Sequence, residues 1–361
     1  MPKVLVVFLV LVGIAIIITI ALFFLWPAKP DTKVDQSAST QSTTEDVPIT
    51  LYRSENGGEG WVPVPAARGL DILAFEWRAG HQNQFYIGTR GQGLFRSDDG
   101  GKTLTQVKDP KNVLRPDSSV YAIAQSSDGT ELILAVFQEG FGRLIRLREI
   151  GAQELYHVPL ENYGLFGVVV DQKDSRHIVA VSGEGNVLET VDGGQTWEVI
   201  AHTKDGIVKL LASSGTRGRL WGIGEQNTFF RSTTYGRLWN AISDISLDEK
   251  GSVGKLYDVR EHTARRALLA GSDYGVIESH DNGETWDGFI TPVPPSTRAV
   301  EAVEGHPRFS EIFWWAAGNE VFRTEDGGIT WRMSTLPVAG KIILLRSEEN
   351  NPKILYAGLS R

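Results

Sequence analysis

An eight-residue turn recurs along this 361-residue chain and limits its fold more than any other feature. The pattern is Ser/Thr-x-Asp-x-Gly-x-Thr-Trp, and a short apolar segment precedes every copy. Four copies keep the pattern closely and two are worn; their first residues are Ser54, Ser97, Thr190, Ser232, Ser279 and Thr324. We call these segments the box turns. Six copies in one register indicate a chain built from repeated units.

Each position of a box turn has a structural task. The acidic side chain and the hydroxyl can hydrogen-bond to backbone groups where the chain reverses. Glycine at the fifth position permits a positive φ, and tryptophan supplies a ring that packs under the turn. These residue types form no metal cage or acid–base pair, which favours a turn that builds the fold over an active site. The structural positions are Ser97, Asp99, Gly101, Thr190, Asp192, Gly194, Trp197, Ser279, Asp281, Gly283, Trp286, Thr324, Asp326, Gly328 and Trp331.

The spacing of the box turns predicts seven blades. Successive first residues are separated by 43, 93, 42, 47 and 45 residues, a repeat in the forties that is typical of β-propeller blades. The gap of 93 is two periods and predicts one blade without a box turn, near Gly140–Leu147. Short apolar runs punctuated by Gly, Asn and Asp, with no helical period, predict an all-β fold.

The two ends of the repeat region predict how the ring closes. Ile354–Leu359 has the pattern of a second strand, and Ile49–Ser54 has that of a third strand leading into its box turn. One blade then takes its inner strands from the C-terminus and its outer strands from the N-terminus, which pairs two free edges. We expect a seven-bladed β-propeller with this clasp over residues 49–361.

The first 48 residues predict a membrane anchor and a linker. Val4–Trp26 carries no charge over 23 residues, enough for a helix to cross a bilayer core of about 30 Å. We favour an uncleaved anchor over residues 1–26, because the apolar run is long for the alternative, a cleaved signal peptide. Residues 27–48 are polar, which predicts a disordered linker. The short N-terminal tail favours a single-pass protein of the cell membrane with the propeller on the extracytoplasmic side.

Composition narrows the range of ligands. The chain has no cysteine, which excludes disulfides and thiolate metal sites within it. Its formal charge of −8 argues against a nucleic acid as the main partner. The seven His residues lack metal-ligand spacing, and we interpret them as surface or satisfied loop residues. We expect no metal and no cofactor.

The box turns, together with segments such as Phe85–Ser97, resemble the Asp-box (BNR-type) propellers of the photosystem II stability/assembly factor family. The resemblance covers residues 49–361. It implies a seven-bladed propeller, tethered at the membrane on the extracytoplasmic side, that helps to assemble membrane complexes. The long anchor and the missing lipobox cysteine depart from that family, so the photosynthetic role is not carried over.

Other families with such turns imply glycan chemistry. Sialidases share the turns but have six blades and an Arg-Ile-Pro segment, which this chain lacks. Xyloglucanase-like glycosidases use two propellers with a cleft between them. A glycosidase needs two carboxylates about 5 to 10 Å apart, and acids on or near the inner strands are Glu76, Asp171, Asp258, Glu261, Glu301 and Glu304. We interpret these as solvated loop residues and predict no enzyme, with a glycan-binding or glycan-hydrolysing propeller as the alternative.

We expect binding residues on the face of the propeller opposite the box turns. That face carries the loops between second and third strands and the inter-blade loops 108–117, 159–164, 243–255 and 291–298, where binding residues collect. Exposed arginines and aromatics are enriched at protein interfaces. The predicted binding residues are Arg90, Phe141, Tyr163, Tyr274 and Arg298, with Arg115 a weaker candidate and ordinary loop decoration the alternative for each. The expected function is a protein-interaction and assembly scaffold for a membrane or envelope complex.

Overall fold

The structure, a computed structural model, describes residues 47–247 and 251–360. The predicted anchor, residues 1–26, lies outside the described residues, and so does the linker up to residue 46. In the part that is described, the only helices are two 3-10 turns, Pro65–Ala67 and Thr263–Arg265, so none could span a bilayer.

The strands before residue 203 are, in chain order, β1 Leu51–Ser54, β2 Val62–Pro63, β3 Ile72–Trp77, β4 Phe85–Thr89, β5 Leu94–Ser97, β6 Thr105–Gln106, β7 Ser119–Gln125, β8 Leu132–Gln138, β9 Phe141–Arg148, β10 Gly151–His157, β11 Leu165–Asp171, β12 Asp174–Ser182, β13 Asn186–Thr190 and β14 Glu198–His202. Those that follow are β15 Ile207–Ala212, β16 Leu220–Gly224, β17 Phe229–Ser232, β18 Asn240–Ile242, β19 Ser246–Leu247, β20 Gly251–Ser252, β21 Leu256–His262, β22 Ala267–Ser272, β23 Val276–Ser279, β24 Asp287–Gly288, β25 Ala302–Gly305, β26 Phe313–Ala317, β27 Glu320–Thr324, β28 Arg332–Thr335, β29 Ile342–Glu348 and β30 Asn351–Leu359.

Twenty-eight of these strands form seven antiparallel four-stranded sheets, which confirms the predicted seven-bladed β-propeller. Blades 1 to 6 begin at β3, β7, β11, β15, β21 and β25, and each takes four consecutive strands. Blade 7 has the order β29-β30-β1-β2, so the predicted clasp is also confirmed. Its register pairs Tyr52 with Ala357 and Ser54 with Leu355.

Blade 2 is the blade without a box turn, as predicted. Its third and fourth strands, β9 and β10, run on through the place where the other blades turn, and only Glu149 and Ile150 join them. The predicted loop 243–255 differs from expectation, because it holds the hairpin of β19 and β20 between blades 4 and 5.

Apolar side chains form seven clusters, one at each junction between neighbouring blades. The junction of blades 7 and 1, for example, stacks Phe75 on Phe85 and sets both rings against Tyr356. A fully buried side chain of this size contributes about 1.5–3 kcal/mol relative to an exposed one. Burial of apolar side chains at these junctions therefore contributes most to holding the seven blades together.

All six box turns, including the two worn ones, share one hydrogen-bond pattern. The hydroxyl at the first position accepts a bond from the N–H of the fifth-position glycine, at 2.7 to 3.0 Å. The side chain at the third position accepts one from the N–H of the seventh residue, at 2.8 to 3.0 Å. The fifth-position glycines have φ between 81° and 99°, a conformation that a Cβ would strain.

Box turns also fasten blades to the blades before them. The carbonyl at the fourth position accepts a hydrogen bond from the preceding blade in four turns: Trp314 donates to Gly57, Tyr356 to Gly100, Arg146 to Gly193 and Trp221 to Asn282. The box tryptophans reach back as well, since Trp197 Nε1 donates to the Leu155 carbonyl at 3.0 Å. The turns build the fold, in accord with their predicted structural role.

Candidate functional site

Charged side chains converge where the first strands of the blades surround the axis. Glu76 on β3, Asp258 on β21 and Glu304 on β25 meet the cations Lys209, Arg260 and Arg346 on β15, β21 and β29. The interpretation of these acids as solvated loop residues is wrong. They lie inside strands, and Asp258 is fully buried.

The carboxylates of this axial cluster bind groups from neighbouring blades. Asp258 forms an ion pair with Lys209 of blade 4, and its second oxygen accepts the N–H of Val303 in blade 6 at 3.2 Å. Glu304 accepts the N–H and the hydroxyl of Ser347 in blade 7, each at 2.9 Å. The cluster therefore links first strands that share no ladder hydrogen bonds.

The pKa values of the axial cluster show how burial and charge compete. Burial raises the pKa of Glu76 and of Glu304 above the ordinary value, and nearby Arg346 and Arg260 offset part of the rise. Burial also opposes ionisation of Asp258, but the three cations around it hold its pKa below the ordinary value. Burial lowers the pKa of Arg346 to about 10, which still leaves it charged near neutral pH.

The other three acids picked out by the sequence are also paired. Asp171 binds Arg217 at 2.6 Å and the Tyr235 hydroxyl at 2.7 Å. Although burial opposes ionisation, the hydroxyl of Tyr235, the N–H of Lys173 and the guanidinium of Arg217 lower the pKa of Asp171 to about 2. Glu261 accepts the N–H of Ser214, and Glu301 that of Gly318. Among the described residues, none of the six carboxylates is left without a protein partner.

Buried His262, which lies in a strand, corrects the expectation that all seven histidines lie at the surface or in loops, whereas His306 is buried within a loop. His262 and His306 are fully buried, and His262 lies in β21. Burial lowers the pKa of His306 to about 4, which keeps it neutral. Over residues 47–247 and 251–360, no three His, Asp or Glu side chains are grouped so as to hold a metal ion.

The predicted arginines on the opposite face are held in ion pairs. Arg90 Nε lies 3.0 Å from Asp71, and Arg298 Nη1 lies 2.5 Å from Glu320. The weaker candidate, Arg115, contacts Asp117 and Glu139. The side chains of Arg90 and Arg298 remain 56% and 41% exposed, so a partner can reach them.

The structure places Tyr274 in a different blade from the other two predicted aromatics. Phe141 and Tyr163 come together, because the Gly142 N–H donates to the Tyr163 carbonyl at 2.9 Å, and the Tyr163 side chain is exposed. The expectation that Tyr274 is exposed is wrong, since only 8% of it is accessible. It packs in the cluster of Ile245, Leu247 and Val253, which the insertion between blades 4 and 5 contributes.

Sequence reasoning missed a ring of aliphatic and aromatic residues at the mouth of the axis on this face. Six first strands carry a one-residue bulge near their start, after the second residue in β7 and after the first residue in the other five. The bulged residues are Leu73, Tyr121, Phe166, Val208, Tyr257 and Ile343, which we call the mouth ring. Bulges next to sites often re-aim a side chain. Tyr121 and Phe166 contact each other edge to face at 4.9 Å, and Val208 and Ile343 are the most exposed members.

Solved propellers share this architecture. The GH74 xyloglucanase from Xanthomonas campestris matches with a TM-score of 0.64 at 14% identity, over 87% of this chain and 52% of that chain. YCF48 from Cyanidioschyzon merolae matches with a TM-score of 0.63 at 13% identity, over 86% of this chain and 99% of that chain. YCF48 bound to D1 peptide matches with a TM-score of 0.61 at 15% identity, over 81% and 94%.

These similarities extend to the fold alone. The chain spans about half the length of the xyloglucanase chain. No protein-family model and no curated protein matches the sequence. The structural neighbours include both a glycosidase and a protein in complex with a peptide, so the geometry of this chain must decide between them.

Proposed function

We propose that this protein is a membrane-anchored, extracytoplasmic scaffold that binds a protein partner with the face opposite the box turns and helps to assemble a membrane or envelope complex. The observation that carries the proposal is the mouth ring, an apolar centre surrounded by ion-paired arginines such as Arg90 and Arg298. Protein interfaces have this anatomy, a desolvated apolar core inside a polar rim.

The rim is already organised before a partner arrives. Asp71 and Glu320 fix the guanidinium groups of Arg90 and Arg298, and Tyr163 and Leu160 present apolar surface between blades 2 and 3. Groups that are held in place lose less conformational entropy on binding. The solved complex of YCF48 with a D1 peptide supports a protein as the class of partner for this fold.

The pairing of the carboxylates in the axial cluster favours a binding function for the protein over catalysis. A glycosidase needs one carboxyl group as acid and a second as nucleophile or base, both facing the sugar. Here Asp258 is tied to Lys209 and Val303, and Glu304 is tied to Ser347. A substrate would have to displace these partners before either group could act.

Site-specific photo-cross-linking tests the binding face. Val208 in the mouth ring and Val191 in the box turn of blade 3 are both exposed valines. A photoreactive residue at each position, in the full chain in native membranes, makes a matched pair. We expect discrete protein adducts from position 208 and none of the same mass from position 191. Identical adducts from both positions, or polysaccharide alone, would contradict the proposal.

The membrane topology needs its own test. The proposal of an extracytoplasmic propeller rests on the uncharged segment Val4–Trp26 and on the polar stretch after it. Protease added to intact cells should cut within residues 27–48 and release the rest of the chain. A chain that is protected until the cells are opened would contradict this orientation.

The alternative function is binding or hydrolysis of a cell-surface glycan. It draws on the fold shared with the xyloglucanase and on the raised pKa values of Glu76 and Glu304, since a glycosidase acid also has a raised pKa. Purified protein should then release sugars from a polysaccharide, and Glu304→Gln should abolish the release. No release by the unsubstituted protein would dismiss hydrolysis.

A further inference from the structure

A cleft of about 270 Å³ lies between blades 2 and 3 on the side of the box turns. Blade 2 contributes Arg146, Arg148 and Gln153 to its wall, and blade 3 contributes Arg176 and Gln195. The cleft adjoins the two-residue turn that replaces the box turn of blade 2. The cationic wall therefore lies next to the position where blade 2 lacks its box turn.

One position in this wall carries the opposite charge to its equivalent in three other blades. In three boxed blades an arginine on the third strand forms an ion pair with an acid two residues later. These pairs are Arg53 with Glu55, Arg96 with Asp98 and Arg323 with Glu325. Arg146 is the equivalent of these arginines in blade 2. Each of the four arginines pairs with the same position of its second strand, which holds Tyr356, Tyr86, Trp314 and, opposite Arg146, Ile133. Two residues after Arg146, blade 2 has Arg148 in place of an acid.

One carboxylate serves both arginines. Glu131 forms ion pairs with Arg148 and with Arg146, whose Nε lies 3.3 Å away. Only 8% of Arg146 is accessible, and its Nε has no aligned hydrogen-bond partner. Burial lowers the pKa of Arg146, Glu131 raises it and Arg148 lowers it again. A further anion would relieve the repulsion between the two guanidinium groups.

The other acid at the cleft is already engaged. Asp192 accepts hydrogen bonds from the Gln195 N–H and from the N–H and hydroxyl of Thr196 inside its own box turn. These bonds, with one from Thr190, hold the pKa of Asp192 far below its usual range. Arg176 is paired with Asp174 at 3.1 Å but is largely exposed, so it can turn toward the cleft.

We propose that this cleft binds a phosphate group, with Arg146 and Arg148 as its principal ligands and Arg176 closing the opposite side. A phosphate offers oxygens in several directions, which suits guanidinium groups that converge from two blades better than a planar carboxylate does. Free phosphate and the headgroup of an anionic lipid share this chemistry. The inference is independent of the proposed partner, because the cleft lies on the side of the box turns.

The test uses calorimetric titrations of the purified full chain with two soluble probes, inorganic phosphate and glycerol phosphate, which carries the headgroup chemistry of phosphatidylglycerol. Arg148→Glu installs the acid that three of the boxed blades carry at this position, so the fold should tolerate it. Arg266→Glu is the matched control, because Arg266 is an exposed arginine on the same side of the propeller, in the first loop of blade 5. Arg148→Gln and a thermal melt separate loss of binding from loss of folding.

We expect saturable binding that weakens at least about tenfold in Arg148→Glu, less in Arg148→Gln, and is unchanged in Arg266→Glu. Binding of inorganic phosphate with this order supports a free ligand, and binding of glycerol phosphate alone with the same order supports a lipid headgroup. Binding to neither probe would overturn the inference. Equal affinity in Arg148→Glu and the unsubstituted chain would also overturn it.

Discussion

The box turns and the axial cluster both join neighbouring blades, but they do so by different means. Each box turn satisfies its own polar groups, as Ser97 does with the Gly101 N–H, and four of the six also offer a carbonyl to the preceding blade. The axial cluster has no such repeat, and its charges depend on groups of neighbouring blades, as Asp258 does on Lys209 and Val303. Loss of an ion pair in the axial cluster should therefore disturb several blades, whereas loss of a hydrogen bond within a box turn should affect mainly that turn.

The largest effect is expected from Asp258→Asn. The change leaves Lys209 and Arg260 facing a neutral group in a fully buried place, and breaking such a pair costs about 3–5 kcal/mol. Urea denaturation measures the change in the free energy of unfolding. Asp71→Asn, which breaks the more exposed pair with Arg90, is the control. A loss at Asp258 no greater than at Asp71 would remove the distinction between axis and surface.

A middle-sized effect is expected from Ser97→Ala in the box turn of blade 1. The Gly101 N–H, which is buried, then has no acceptor, at a cost of about 1–2 kcal/mol. Ser127→Ala, at an exposed serine, should change the free energy of unfolding by less than about 0.5 kcal/mol. Equal values for the two variants would mean that the box hydroxyl has no structural role.

The smallest effect is expected in the acid response of the box turns. Burial alone would raise the pKa of Asp281, but hydrogen bonds from Thr285 and Ser279 lower it to about 2. Because the folded pKa lies below the unfolded value of about 3.9, the stabilisation is complete above pH 4 and is lost as the pH falls toward 2.

Thermal melts of Asp281→Asn between pH 5 and pH 2 measure this response. The variant should melt below the unsubstituted chain at pH 5, and the gap should narrow as the pH falls. Asp287→Asn, at an exposed carboxylate just outside the same box turn, is the control and should melt with the unsubstituted chain at pH 5. A constant gap for Asp281→Asn at every pH would contradict the assignment.

The repeat explains why the fold was predictable from the sequence. Six box turns in one register give the blade number, the blade without a turn and the clasp, because the same backbone geometry requires Gly101, Gly194 and their equivalents each time. Local rules suffice for such positions.

The axial cluster and the binding face obey no such repeat. One register position of the first strands holds Glu76, Ala124, Val169, Leu211, Arg260, Glu304 and Arg346 in successive blades. Their pairing depends on which blades meet around the axis, which spacing alone does not reveal. Tyr274 was misjudged for a related reason, since the insertion before blade 5 covers it. The burial of a loop residue can be predicted only when the residues that pack against it can be predicted as well.

A double-mutant cycle on Lys209 and Asp258 tests the central claim most directly, namely that the axial charges serve each other and not a ligand. Urea unfolding of Lys209→Met, Asp258→Asn and the double variant gives the coupling energy. We predict that each single change destabilises the chain and that the double change costs less than their sum by at least about 1.5 kcal/mol. Additive losses, or an Asp258→Asn chain more stable than the unsubstituted one, as is common when a functional charge is removed, would contradict the account.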